Sequence, residues 1–249
     1  MQKDYLEKAF DVMSRQKEFY KSSKFWEEAC KKISKNTIES DFKDFRRDSD
    51  NLNFFVPTYG YPGNGFSKEA IKEILNLFSE HKSSKNLLAQ KHFLSGETHF
   101  FSDYRVLKAA NKKEDILDIS QFCESSFGNP IEHFQAEGKL FSRSSMNYLL
   151  GISYLKSLLP NFIPESVLEI GGGFGTLGEI LYQIPEHKIR YIDIDLPPIF
   201  LIAFKYLKNA CNLKKEDYFL SNLNDKQEVI NISDLPSFSF FPTWEIEKL

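Results

Sequence analysis

Residues 166–178, SVLEIGGGFGTLG, decide the fold of this chain. An apolar run that ends at Ile170 leads into three consecutive glycines and then a fourth, Gly175. Beyond them, apolar residues recur at three- and four-residue steps as far as Ile184, which is the period of a helix. This pattern predicts a strand, a glycine-rich loop and a helix, the layout of a nucleotide site in a parallel sheet.

A second strand is predicted at residues 189–196, IRYIDIDL, with Asp193 and Asp195 near its end. Asp195 follows Gly173 by about 20 residues, the spacing expected between a glycine loop and the acid that binds a ribose. A carboxylate at the tip of a strand can accept hydrogen bonds from both ribose hydroxyls. The sequence therefore predicts a ligand that contains a nucleoside.

Two ligands compete for this loop. Residues 169–175, E-I-G-G-G-F-G, resemble the first motif of class I S-adenosylmethionine-dependent methyltransferases, E/D-x-G-x-G-x-G. That resemblance implies cofactor contacts from Glu169, Gly171, Gly173 and Gly175. The run from Gly173 to residue 178 also matches G-x-G-x-x-G, the fingerprint of NAD(P)-dependent oxidoreductases.

The carboxylate of Glu169 favours the methyltransferase interpretation. A dinucleotide carries a pyrophosphate that this carboxylate would repel, whereas S-adenosylmethionine carries a sulfonium and an ammonium that it would attract. Two other possibilities are open: a strand, loop and helix with no ligand, or an inactive, truncated remnant that keeps a partial nucleotide-binding fold.

Longer stretches resemble one family within this superfamily. VLEIGGGFGTLGEIL (167–181), YIDIDLPPIFLIAFKYL (191–207) and FSRSSMNYL (141–149) are similar to sugar O-methyltransferases encoded in bacterial surface-polysaccharide gene clusters. The resemblance implies methyl transfer to a sugar or glycan hydroxyl in polysaccharide biosynthesis. It also implies that Asp195 contacts the cofactor ribose.

The rest of the chain predicts a mainly helical region ahead of the sheet. We expect residues 1–140 to form this region and to contribute to substrate binding, and residues 141–249 to form the S-adenosylmethionine-binding domain. Within the second part, residues 141–159 predict a helix capped by Ser142 or Ser144. Arg143 at its start could bind the carboxylate of the cofactor with a bidentate guanidinium; a solvent-facing arginine is the alternative.

Residues 96–105, GETHFFSDYR, collect several polar side chains. His99 could act as a general base toward the acceptor hydroxyl, with Asp103 orienting its ring, since the pKa of histidine lies near neutral pH. The alternative is a capped helix start whose polar groups satisfy one another. A further helix is predicted at residues 116–127.

Composition narrows the function classes. The net charge of −3 argues against a protein that binds nucleic acid by broad electrostatic attraction. No apolar run approaches the ~20 residues of a membrane span. Three scattered cysteines form neither a disulfide framework nor a zinc motif, so we expect a cytoplasmic enzyme without a metal.

The sequence predicts an α/β fold with a Rossmann-like, doubly wound parallel sheet that is incomplete at the C-terminus. Methyltransferase sheets of this class have about seven strands, and the residues after position 165 predict three or four. We expect a truncated chain, and the genomic sequence downstream of Leu249 would test this.

Overall fold

The computed structural model describes residues 2–39, 42–55, 66–80, 86–111, 117–184, 188–223 and 229–249. The chain forms two compact units. Unit 1 comprises residues 1–45, 125–129 and 162–249, and unit 2 comprises residues 46–124 and 130–161. The chain thus passes from one unit to the other four times. The functional boundary expected between residues 140 and 141 stays a prediction.

Helices and strands follow one another along the whole chain. In order they are α1 (Gln2–Ser14), α2 (Lys24–Glu39), α3 (Ser49–Phe55), α4 (Lys68–Glu80), α5 (Leu87–Leu94), α6 (Glu97–Ala110), β1 (Phe134–Ala136), β2 (Lys139–Phe141), α7 (Arg143–Leu158), β3 (Ser166–Ile170), α8 (Thr176–Tyr182), β4 (Arg190–Asp195), α9 (Ile199–Ala210), β5 (Tyr218–Leu220) and β6 (Phe238–Pro242). Short 3₁₀ helices lie at Glu18–Tyr20, Lys215–Asp217, Ile232–Asp234 and Thr243–Lys248.

Unit 1 contains a four-stranded parallel sheet in the order β3-β4-β6-β5. The two inner strands, β4 and β6, are almost wholly buried. Strands buried on both faces have near-continuous apolar sequences, as in the FSFFP of β6. The chain is therefore an α/β protein with a parallel sheet, which is compatible with the predicted Rossmann-like fold.

The two faces of this sheet differ in chemistry because side chains alternate along each strand. One face carries the apolar cluster of Ile192, Ile194 and Phe241, packed with Leu235. The opposite face of β4 carries polar groups, and the register pairs Glu169 of β3 with Asp193 of β4. The acids therefore share one face of the sheet, and the cluster around Ile192, Ile194 and Phe241 lies on the other.

Strand β3 lies at the edge of the sheet and, among the described strands, pairs with β4 alone. Leu168 and Ile170 belong to the apolar face, yet 42% and 64% of their surfaces are exposed. The apolar face of the sheet is thus buried at β4 and β6, whereas at β3 its side chains are partly exposed.

Helix α8 approaches the sheet and α9 closely because Gly178 lacks a side chain. A Cβ there would lie 2.8 Å from Leu207 Cδ1 and 2.8 Å from the ring of Tyr191. These distances are well inside van der Waals contact, so the position accepts glycine only. The same unit includes α1, where the Tyr5 hydroxyl donates to the carbonyl of Ser221 at 2.5 Å.

Unit 2 contains α3 to α6, the hairpin of β1 and β2, and α7. Ser142 caps α7, as predicted: its hydroxyl accepts from Ser145 N, and the Ser145 hydroxyl accepts from Ser142 N. Phe100 of α6 is fully buried and stacks on Phe134 of the hairpin at 4.8 Å.

A buried ion network ties unit 2 together. Arg46 is 1% exposed and donates to Glu124 at 2.5 Å and to Glu132 at 2.7 Å, with His133 Nε2 3.2 Å from the guanidinium. The second oxygen of Glu124 accepts from Ser142 N at 2.6 Å. Burial raises the pKa of Glu124, but the charge of Arg46 and hydrogen bonds from neighbouring side chains outweigh it and hold the pKa far below its usual value.

The helix predicted at residues 116–127 is wrong over the part that the structure describes, since residues 117–127 are irregular. Their backbone amides form hydrogen bonds that are not helical. Glu124 N donates to the carbonyl of Leu140 in β2, and Ser120 N donates to the side chain of Asp118. Leu117, Ile119 and Phe122 of this irregular segment are nevertheless buried.

None of the helices in the described part of the chain is both long enough and apolar enough to cross a membrane. The cytoplasmic location stays a prediction.

Candidate functional site

The glycine loop joins β3 to α8 and has the backbone that the motif predicts. The glycines at positions 171, 173 and 175 have φ values of 79°, 63° and 94°. Residues other than glycine rarely adopt these φ values because their Cβ atom then clashes with the backbone. At Gly175 a Cβ would also lie 2.8 Å from Leu207. Glycine allows the loop to take this path without backbone strain.

Two backbone amides bind the loop to the end of β4. Gly171 N donates to the carbonyl of Ile194 at 2.9 Å, and Gly173 N donates to Asp195 Oδ2 at 3.2 Å. Asp195 Oδ1 accepts from Leu196 N at 2.7 Å. Each carboxylate oxygen has a second lone pair, so Asp195 keeps acceptor capacity for two ligand hydroxyls. The structure therefore places Asp195 against the loop, as the spacing suggested.

Gly172, which lies outside the predicted motif positions, covers three polar atoms. The Cβ position of Gly172 is 2.5 Å from Asp193 Oδ1, 2.9 Å from Glu169 Oε2 and 2.9 Å from the Tyr191 hydroxyl. All three atoms therefore point at the underside of the loop. Tyr191 is fully buried and donates to Glu169 Oε2 at 2.5 Å.

The carboxylate of Asp193 is fully buried, and neither oxygen has a hydrogen-bond partner among the described residues. Burial, followed by the charges of Asp195 and Glu169, raises the pKa of Asp193 well above its usual value. The Gly172 amide opposes this rise without reaching hydrogen-bond geometry. A buried carboxyl with no compensating donor is far less costly when protonated.

Asp195 shows a weaker form of the same effect. Burial raises its pKa to about 7, against the backbone hydrogen bonds from Leu196 and Gly173. The negative charge of Glu169 adds to the rise. Asp195 therefore changes its ionisation near neutral pH, whereas an exposed aspartate is ionised throughout that range.

Glu179 is another buried acid of unit 1, but its partners identify it as structural. Its carboxylate accepts from Ser125 N at 2.7 Å and from the Tyr206 hydroxyl at 2.6 Å. These bonds hold residues 125–129 to α8 and α9.

The remaining predicted residues lie in unit 2. His99 is on the exposed side of α6, its ring 5.6 Å from that of Phe93. Asp103 pairs with Arg143 at 2.5 Å. The described contacts therefore join Asp103 to Arg143 and show no bond from Asp103 to His99. Residues 97–105 are helical, as the alternative interpretation held, and the roles of these three side chains stay predictions.

Sequence reasoning missed Gly172 and Tyr191 and gave Asp193 only a secondary place. The strand period could have found two of them, because Tyr191, Asp193 and Asp195 alternate along β4 and must share a face. Gly172 could not have been found, since its φ is ordinary and its constraint comes from atoms of β3 and β4.

One curated protein resembles part of this chain. It is the ribosomal RNA small subunit methyltransferase A of Hydrogenobaculum sp. (strain Y04AAS1), 38% identical over 72 residues. The match covers 29% of this chain and 28% of that protein. No family model matches the chain. No solved structure matches it.

This relative supports the class I S-adenosylmethionine-dependent methyltransferase superfamily and, with it, use of S-adenosylmethionine. It does not support the family of sugar O-methyltransferases or a role in polysaccharide synthesis. The expectation of a sugar acceptor and no nucleic acid is corrected by the same finding, because the relative's name specifies ribosomal RNA. The charge argument failed because a net charge averages over the whole chain and does not describe a local surface.

Proposed function

We propose that this chain is an S-adenosylmethionine-dependent methyltransferase that binds its donor at residues 171–175 and Asp195, on a Rossmann-like, doubly wound sheet. One observation carries the proposal: a loop of positive-φ glycines lies against an acid at the tip of the neighbouring parallel strand. This arrangement places a backbone without side chains next to a carboxylate that can accept hydrogen bonds from ribose hydroxyls. An adenosyl ligand requires both.

The residues of the site suit a cationic ligand. S-adenosylmethionine supplies a methyl group that is already activated by its sulfonium. Glu169 and Asp195 give the site negative potential, and the Tyr191 hydroxyl fixes the orientation of Glu169. Asp195 accepts from the ribose hydroxyls. The chain's contribution is therefore to hold and orient the donor.

The same acids argue against the dinucleotide alternative. Glu169 lies beneath the loop and Asp195 lies against it, so the pyrophosphate of NAD(P) would sit beside two acids. Unlike charges attract and like charges repel most strongly where water is excluded. A site with this lining favours a ligand with positive charge and no phosphate.

RNA is the acceptor to test first. This choice rests on the name of the relative, whose match covers 28% of that protein. Transfer of a radiolabelled methyl group from S-adenosylmethionine to small-subunit ribosomal RNA, measured against an equal mass of an unrelated RNA, tests it. Label in neither RNA would count against this acceptor and leave the donor site untouched.

Calorimetric titration with S-adenosylmethionine tests the donor site. Gly173→Val and Asp195→Ala should each abolish measurable binding, the first by forcing the loop out of its path and the second by removing the ribose acceptor. Wild-type affinity in both variants would contradict the assignment.

Two matched variants control for general damage. Gly138→Val changes another positive-φ glycine, at φ 80°, whose Cβ direction meets open space in the hairpin of unit 2. Asp234→Ala removes an exposed carboxylate from unit 1. Both should bind S-adenosylmethionine as the wild type does.

A further inference from the structure

The inference concerns the acids beneath the glycine loop and rests on the proposed function. Asp193 is fully buried, both its oxygens lack partners among the described residues, and Oδ1 points at the Gly172 backbone. Its neighbours in the sheet are Glu169 and Asp195, on the same face. This acid takes no part in holding the fold together through hydrogen bonds, unlike Glu179.

Among the described residues, the titratable groups that face this cluster are acids or un-ionised side chains. Glu169 contributes from β3, and Tyr191 and Asp195 from β4. Cys30 contributes from α2, where burial and then the charge of Asp195 raise its thiol pKa to about 12. The described residues that shift the pKa values of Asp193 and Asp195 include no cation.

We propose that Asp193 holds a proton while the site is empty and releases it to solvent when a cation binds above the loop, so that the site distinguishes a sulfonium from a neutral thioether. The O–H bond of the carboxylic acid breaks, its electron pair stays on Asp193, and the proton passes to buffer. No other reactant is needed.

The physical reason is charge balance. Burial and the neighbouring acids oppose the ionisation of Asp193 and Asp195, so these two acids retain protons. A bound positive charge lowers the pKa of each acid that it faces and expels protons. S-adenosylmethionine and its product S-adenosylhomocysteine share the adenosyl, ammonium and carboxylate groups and differ in the sulfonium charge. The structure thus assigns Asp193 to discrimination between donor and spent product.

The test is calorimetric titration of the wild type at about pH 6.5 in buffers of different ionisation enthalpy, which yields the number of protons released. S-adenosylmethionine should release more protons than S-adenosylhomocysteine. Sinefungin, in which a charged amine replaces the methylsulfonium, should behave like S-adenosylmethionine. For one extra proton, the ratio of donor to product affinity should rise up to about tenfold per pH unit.

Asp193→Asn should reduce the difference in proton release between the two ligands by at least half, and Asp234→Asn should leave it unchanged. The amide that Asp193→Asn introduces copies a protonated carboxyl in shape and charge, and far-ultraviolet circular dichroism verifies that the variant folds. Equal proton release for both ligands in the wild type, or an unchanged difference in Asp193→Asn, would overturn the proposal while the donor site stands. Absence of all binding would overturn the donor site and this proposal with it.

Discussion

Two buried carboxyls, Glu124 in unit 2 and Asp193 in unit 1, are equally hidden from water and have opposite chemistry. Glu124 receives the guanidinium of Arg46 and the amide of Ser142. Burial raises the pKa of Glu124, but the charge of Arg46 and the side chains of His133 and Ser145 outweigh it and lower the pKa. Asp193 receives no hydrogen bond from the described residues and faces two other acids, so its pKa rises.

The difference shows that burial alone does not decide what an acid does. Where neighbours supply charge and hydrogen bonds, a buried carboxylate is part of the framework. Where they do not, the group keeps capacity for a ligand, and such groups concentrate at functional sites. Three experiments would break or sharpen this contrast.

The largest effect is expected from Arg46→Met, which leaves Glu124 and Glu132 buried without their cation. Removing one partner of a buried pair costs about 3–5 kcal/mol. Urea titration followed by circular dichroism should show this loss in the free energy of unfolding. Arg15→Met breaks an exposed pair with Asp11 and should cost about 0.5 kcal/mol. Equal losses of unfolding free energy in the two variants would mean that the buried network of unit 2 stabilises the protein no more than an exposed ion pair does.

A smaller effect is expected from Gly172→Ala. The new methyl group would lie 2.5 Å from Asp193 Oδ1, so the loop must move. Overpacking of this kind costs about 1–3 kcal/mol, which corresponds to a loss of S-adenosylmethionine affinity of about 5- to 150-fold in calorimetry.

Gly151→Ala is the matched control, because its Cβ would meet open space in α7. It should leave binding unchanged and raise stability slightly, since alanine favours a helix. Tight binding by Gly172→Ala would show that the acids beneath the loop do not constrain its path.

The third effect is a difference in pH dependence between the units. The pKa of Glu124 is lowered, so its contribution to stability is present above its usual pKa and is lost as pH falls. The pKa values of Asp193 and Asp195 are raised, so the stability of unit 1 should fall as pH rises from about 4 to about 7. Between about pH 5 and pH 7, unit 1 should weaken while unit 2 stays constant.

Hydrogen exchange measured by mass spectrometry, corrected for the intrinsic exchange rates, separates peptides of the two units. Asp193→Asn should flatten the slope in unit 1, and Glu124→Gln should remove the acid-side loss in unit 2. Parallel slopes in both units would refute the contrast between the two carboxyls.

The parts of the site that could be predicted from sequence are those with a local cause. Positive φ needs glycine, so Gly173 and Gly175 marked the loop in advance, and strand spacing placed Asp195 beside it. The parallel sheet followed from the same periodicities.

What could not be predicted depends on residues far apart in the chain. The sequence predicted a helix at residues 116–127, but Glu124 bonds to Arg46 and to β2, which the sequence does not reveal. Asp193 has no hydrogen-bond partner among the described residues because neither Gly172 nor the two strands place a donor within hydrogen-bond geometry of its carboxyl. An absence of partners has no signature in a single sequence.

Both units are assembled from segments that alternate along the chain, and residues 125–129 illustrate the consequence. Ser125 is bonded to Glu179, yet both chain neighbours of this five-residue piece belong to the other unit. A single proteolytic cut therefore cannot separate the two units from each other as intact fragments. A C-terminal deletion that removes any residue of unit 2 also removes residues 162–249 of unit 1, so only point substitutions can assign a property to unit 2.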